Sequence, residues 1–263
     1  MATLLKSDLS RRQGMSEAEW KVRVDLAALY RLVALYGWDD LIFTHISARV
    51  PGPDQHFLIN PYGMMFEEVT ASSLVKVDIA GNIIGESDYG INYAGYVIHS
   101  AIHAARDDAH FVVHLHSPDG VAVASQAEGM LPLNQRSLAI IPQLSYHDYE
   151  GIALNLSEQE RLIADLGGNR LMILRNHGTL AFGSTVGEAW GGIYLLECAC
   201  TAQVRALSAG RENVLIAPRA AQEEVIQQLQ QQRNAVEGTR PLFDLVWDAS
   251  LRKAYRHSPG FDA

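Results

Sequence analysis

Three histidines carry the chemistry open to this chain. Two of them stand in FVVHLHSPDG, where His114 and His116 close an apolar run and are separated by a single leucine. On a strand, side chains at i and i+2 leave from one face with Cβ atoms about 7 Å apart. Metal–nitrogen bonds of about 2.0–2.1 Å, added to the reach of each ring, let two such imidazoles meet at one ion. Taken alone, the pair leaves two readings equally open: a ligand set, or part-buried histidines satisfied by backbone groups. A third candidate, His177 in LMILRNHGTLAFG, again ends an apolar strand and runs into a glycine turn. Strand exits of this kind are where α/β folds hold their chemistry. Three imidazoles that leave a coordination position open match a catalytic, rather than a structural, divalent metal site.

The other histidines have less support from their surroundings. His99 and His103 are four apart on one helix face, where they could orient a ligand or simply pack. His45 in FTHISARV opens a strand and is placed to line a pocket, while His56, His110, His147 and His257 read as incidental.

The elements that position these residues follow from periodicity and turn chemistry. SEAEWKVRVDLAALYRLVALYGW begins with Ser16 and Glu19 in a capping-box pattern and keeps helical spacing until Gly37. From 41 to 84, short β-rich pieces alternate with Pro and Gly turns and predict a run of strands. INYAGYVIHSAIHAARDDAH predicts a helix, FVVHLH a strand, and SPDGVAVASQA a helix opened by Pro118. SEQERLIADLGG predicts a helix, NRLMILRNHG a strand, and TVGEAWGGIYLLECACTAQVRALSAG a long helix whose apolar face, with Trp190 and Tyr194, suits core or subunit packing. Two further helices are expected after 217, the second containing Trp247. Helix and strand mix without a strict βαβ repeat, which predicts one α/β domain.

Composition narrows the partners. The 263 residues include 21 basic and 30 acidic side chains, for a net charge of −9, the wrong sign for gathering nucleic-acid phosphates. No apolar run reaches the roughly 18–20 residues of a membrane span, and the N-terminus has no secretory h-region, so a cytoplasmic protein is expected. Cys198 and Cys200, two apart on a helix, have diverging side chains and are expected to be free core thiols.

The stretches THISARV, INPYGMMFEEVTASSLVKVD, INYAGYVIHSAIHAARDD, FVVHLHSPDGVAVAS, YHDYEGIA and LRNHGTLAFGSTVGEAW, in that order, resemble the class II aldolase/adducin family over about residues 16 to 210. The resemblance implies a three-layer α/β/α fold around a mostly antiparallel central sheet, commonly a homotetramer with active sites between subunits. In the family's aldolases, zinc polarises the carbonyl of a ketose phosphate; relatives include epimerases, dehydratases and decarboxylases. Carried over by position, the zinc ligands fall on His114, His116 and His177, with iron as the alternative metal because three neutral imidazoles leave several positions open. The implied domain boundaries are a tail over 1–15, the family domain over 16–215, and a helical extension over 216–263 packed on the domain or on a neighbouring subunit.

Departures from the aldolases shape the expected chemistry. Their Ser-Ser-Glu falls on Tyr93, Ala94 and Gly95, and the asparagine of their Gly-Asn-Ile-Ser falls on His45. Glycine cannot move a proton, and the phosphate-binding serines are gone. The expected substrate is therefore a small non-phosphorylated carbonyl or hydroxy acid, in a lyase-like reaction such as an aldol cleavage or decarboxylation. Tyr62, Tyr93 and Glu86 are the candidates for handling its proton. His45, Asn60 and Gly63 are expected to contact the substrate, and His99 to support the site from behind. HSAIHAARDDAHFVVHLHSP and ALSAGRENVL also resemble the adducin head, which supports an alternative: a non-catalytic, oligomeric binding module with a vestigial metal site. Adducins join actin and spectrin through a neck and a lysine-rich tail. No such basic tail is present here, so actin and spectrin are not expected partners.

Overall fold

A computed structural model describes residues 12, 14–152, 155–234 and 240–263; the tail expected over 1–15 lies outside the described residues apart from 12, 14 and 15. Helix α1 (Glu17–Leu35) starts where the Ser16 hydroxyl accepts from the Glu19 N–H at 3.1 Å, and the chain turns away through Gly37 at φ +67°. The Glu19 side chain of the expected capping box goes elsewhere, to Arg23 and Lys76. The strands β1 (His45–Arg49), β2 (Phe57–Ile59) and β3 (Val75–Val77) follow, then α2 (Tyr93–Ala105) and β4 (Phe111–Leu115). Asn92 caps α2 by accepting from the Ala94 N–H. Next come α3 (Pro118–Ala124), α4 (Gln135–Ile140), β5 (Leu144–His147), α5 (Glu158–Leu166), β6 (Leu171–Leu174) and β7 (Gly178–Gly183). Three helices complete the described chain: α6 (Val186–Leu207), α7 (Arg219–Asn234) and α8 (Leu242–His257).

The strands form one seven-stranded sheet in the order β3-β2-β1-β4-β7-β6-β5, antiparallel at every pairing except β5 with β6. Strand β4 is the middle strand, and β7 alone joins the β3-β2-β1-β4 half to the β6-β5 pair. The expected fold class, α/β with a mostly antiparallel sheet between helical layers, is what the chain forms.

Strand alternation assigns the two faces. Ile46, Ala48, Val113, Leu115, Ile173 and Ala181 point to a core shared with α1, α6 and α8. Val112, Met172, Leu174, Leu180 and Phe182 point the other way, against Ile98, Ala101 and Ile102 of α2 and Leu162 and Leu166 of α5. His45, Ser47 and His114 share parity with this second set, which turns them toward α2. Helix α8 is held in the first layer by Trp190 Nε1 donating to Ser250 Oγ at 2.8 Å, and the residues after it by the Ala71 N–H donating to the Phe261 carbonyl at 2.8 Å.

Sequence periodicity did not assign TLAFG, which forms β7, or LSYH, which forms β5. Both are short and buried on most positions, so they lack the polar–apolar alternation that marks a half-exposed strand. The cysteines are free, with Cys200 buried and Cys198 half-buried.

Candidate metal centre

The sheet brings three histidines to one point. His114 lies near the end of β4, His116 just beyond it, and His177 in the turn between β6 and β7. That turn needs a left-handed residue, and Asn176 supplies it at φ +55°, a conformation asparagine tolerates better than most side chains. Gly178 has a different reason to be glycine: a Cβ there would meet the Leu115 carbonyl oxygen at 2.3 Å and the His116 ring at 3.1 Å. The missing side chain allows β7 to run close enough to β4 for His177 to reach its partners.

The three side chains meet through their Nε2 atoms. His114 Nε2 lies 2.9 Å from His116 Nε2 and 3.3 Å from His177 Nε2, and one ligand atom from each residue lies within 4.8 Å of the others. Nitrogens held about 2.0–2.1 Å from a tetrahedral ion stand roughly 3.3 Å apart, so these separations fit one small divalent cation. The opposite nitrogens are used for aiming. His114 Nδ1 donates to the Thr179 carbonyl at 3.0 Å, and His116 Nδ1 donates to Asp40 Oδ2 at 3.1 Å. With the hydrogen on Nδ1, each Nε2 presents a lone pair, and the Asp40 carboxylate makes His116 the more basic of the two imidazoles.

Electrostatics keep the imidazoles neutral, the form that ligates. Burial pushes His114 well below its ordinary range, and neighbouring His116 and His177 push it further. Burial and His116 bring His177 down to about 4. Burial also lowers His116, against the pull of Asp40.

Beneath the three histidines lies a residue that sequence reasoning missed. Glu197 of α6 is fully buried and accepts hydrogen bonds from Ser117 Oγ and Thr179 Oγ1. One carboxyl group thus fixes both the segment after His116 and the strand after His177. Burial raises its pKa, and the two hydroxyls oppose that shift. The available signal was a lone carboxylate inside the apolar run IYLLECACTAQV, which periodicity reads as a packing face.

The remaining sequence candidates are dispersed. His45 is 2% exposed, and its ring centroid is 5.1 Å from that of His114. His99 is fully buried and touches His45, not the three convergent rings: its Nε2 is 3.1 Å from His45 Nδ1. Asn60 is buried and accepts from the Tyr30 hydroxyl at 3.0 Å. Gly63 occupies an exposed turn at φ +107°. Tyr62, Tyr93 and Glu86 are exposed, and among the described residues none pairs with His114, His116 or His177. His147, expected to be incidental, is buried with Nδ1 2.7 Å from Asp165 Oδ2.

With this geometry in place, comparison with known proteins is informative. The Class II Aldolase and Adducin N-terminal domain family matches residues 24–204. A Caulobacter vibrioides protein assigned to aldolase class 2 is 62% identical over 253 residues, covering 96% of each chain. Rat alpha-adducin is 43% identical over 205 residues, which span 76% of this chain and 28% of that protein. Among solved structures, an aldolase II superfamily protein from Pseudomonas syringae superimposes with a TM-score of 0.89 at 50% identity, covering 96% of this chain and 99% of the other. L-fuculose 1-phosphate aldolase from Glaciozyma antarctica does so with a TM-score of 0.77 at 26% identity, covering 91% and 90%. The chain belongs to the class II aldolase and adducin family.

Proposed function

We propose that this protein is a metal-dependent, lyase-like enzyme acting on a small non-phosphorylated carbonyl compound or hydroxy acid. Its divalent metal, zinc in the first instance and iron as the alternative, is held by His114, His116 and His177. The observation that carries this reading is the convergence of three neutral Nε2 atoms, two of them aimed by hydrogen bonds from Nδ1 to Thr179 and Asp40. A site of this kind costs desolvation of three polar rings unless a ligand occupies it. When bound, the metal supplies Lewis-acid polarisation of a substrate oxygen. The protein's part is to fix the three nitrogens, exclude water behind His114, and hold the frame through Glu197.

Metal analysis of the purified protein tests the reading. About one equivalent of divalent metal per chain is expected, reduced to background in His116→Ala and His177→Ala, together with turnover of a small ketol, aldehyde or hydroxy acid that is lost in the same variants. Metal-free wild-type protein that also binds no added zinc would sink it. The likeness to adducin and the glycine at position 95 favour a second reading, a non-catalytic binding module that keeps the metal site as a structural remnant. Turnover that disappears in His116→Ala overturns that alternative.

A further inference from the structure

A chain of buried hydrogen bonds leads from the protein interior to the metal centre, and one carbonyl group fixes its direction. His103 Nδ1 is 2.9 Å from the Ala109 carbonyl oxygen. A carbonyl only accepts, so this nitrogen carries the hydrogen. Neutral imidazole has one N–H, and His103 Nε2 is therefore an acceptor, taking the Ser47 hydroxyl proton at 2.7 Å. Ser47 has no second proton, so at its other contact, 2.5 Å from His99 Nδ1, the hydroxyl oxygen accepts and His99 donates. His99 Nε2 must then accept from His45 Nδ1, 3.1 Å away. The last link leaves His45 with its hydrogen on Nδ1 and a lone pair on Nε2. All three rings are buried, and burial keeps them neutral.

Two further observations locate that lone pair. Among the described residues nothing pairs with His45 Nε2, and the atom is not sealed from solvent as the orphaned Thr44 hydroxyl is. The ring also lies against the bare Cα of Gly95: a Cβ at position 95 would fall 2.2 Å from His45 Cδ2 and 2.6 Å from Nε2. The imidazole thus fills the space beside the first turn of α2 that any side chain at 95 would need. Tilted by 31° at 5.1 Å from the His114 ring, it borders the proposed metal centre.

We propose that His45 Nε2 is the acceptor that recognises a hydroxyl group on the ligand bound at the metal centre, selecting α-hydroxy carbonyl compounds or α-hydroxy acids over their deoxy analogues. An acceptor at this point also disfavours a phosphate monoester, whose terminal oxygens are all acceptors once it is the dianion. The assignment of the lone pair stands independently; its use on substrate rests on the metal-centre reading above.

The test has two arms. In metal-free protein labelled with 15N-histidine, long-range proton–nitrogen correlation spectra are expected to show His45, His99 and His103 as Nδ1–H tautomers. Ser47→Ala cuts the chain between His103 and His99, so His103 is expected to keep its tautomer while His99 and His45 become mixtures. An Nε2–H signal from His45 in wild type, or a His45 signal unmoved by Ser47→Ala, would overturn the assignment. In the second arm, zinc-loaded protein at pH 8 is titrated with glycolate, acetate and methyl phosphate, a dianion without a P–OH donor. Glycolate is expected to bind about tenfold more tightly than acetate, the worth of one buried hydrogen bond, with methyl phosphate weaker than glycolate. In His45→Phe, which keeps a ring over Gly95, the preference is expected to vanish. Equal binding of glycolate and acetate by zinc-loaded wild type overturns the proposal and leaves the metal centre standing. Failure to bind zinc overturns the metal-centre reading and the proposed use on substrate, with the tautomers still decided by the spectra.

Discussion

Gly178 shows how narrowly His177 is placed. In Gly178→Ala the new methyl would lie 2.3 Å from a backbone oxygen of β4, which has little freedom to yield. A loss of about 3 kcal/mol is expected, at the upper end of overpacking costs, together with weaker metal binding as His177 is pushed outward. Thermal unfolding and zinc titration measure both, and a variant with wild-type melting temperature would contradict the close approach. At this scale the sequence was informative wherever a residue's type announced its chemistry. The HLH and NHG histidines could be read as ligands because an imidazole at a strand exit is chemically distinctive. The helical spacing of His99 and His103 placed them on one face, but their shared partner Ser47 is on a strand about fifty residues away. The support from Asp40 and Glu197 was hidden for the same reason: hydrogen-bond partners distant in sequence leave no local pattern.

Between elements, charge fixes what apolar packing alone would leave free to slide. Glu19 on α1 receives Lys76 from β3 at 2.9 Å and Arg23 at 3.0 Å, and Arg23 also donates to the carbonyls of Ala71 and Leu74. Burial raises the Glu19 pKa, but Lys76 and Arg23 outweigh it and leave the group below the ordinary 4.5. A carboxyl with a depressed folded pKa contributes stability above its unfolded value, and that contribution is lost as pH falls through the folded one. Glu19→Gln is therefore expected to cost about 3 kcal/mol at pH 7, the lower end for breaking a buried pair. The gap to wild type should narrow as pH drops below about 4.5. Urea unfolding at several pH values checks this, and an unchanging gap would exclude Glu19 as its source. Helices α1, α2 and α6 were legible because caps and 3.6-residue spacing are local signals. Strands β5 and β7 were not, since a short strand buried on both faces and a buried helix turn have the same apolar composition.

For the whole molecule, the class of fold came from the family resemblance more than from periodicity, which yielded mixed α/β and no sheet order. No helix among the described residues is long and apolar enough to cross a membrane. Leu41 and Phe43, 59% and 48% exposed, stand on the loop that presents Asp40 to His116, and the Phe43 carbonyl accepts from Asn92, the residue before exposed Tyr93. Exposed apolar side chains on the loop beside the three histidines suit a subunit contact. Light scattering is expected to give four times the 29.0 kDa chain mass, and Leu41→Asp with Phe43→Asp to lower it; a monomeric wild type would refute the assembly. The placement of β7 has a further consequence, for the chain during its synthesis. When HLH leaves the ribosome it offers only two nitrogens, and the third follows 61 residues later on the turn that precedes the joining strand. The proposed three-ligand site would arise only when β7 has been made and seated between β4 and β6. On the proposed function, the choice among cellular metals would then be exercised by a finished site and not by the nascent chain.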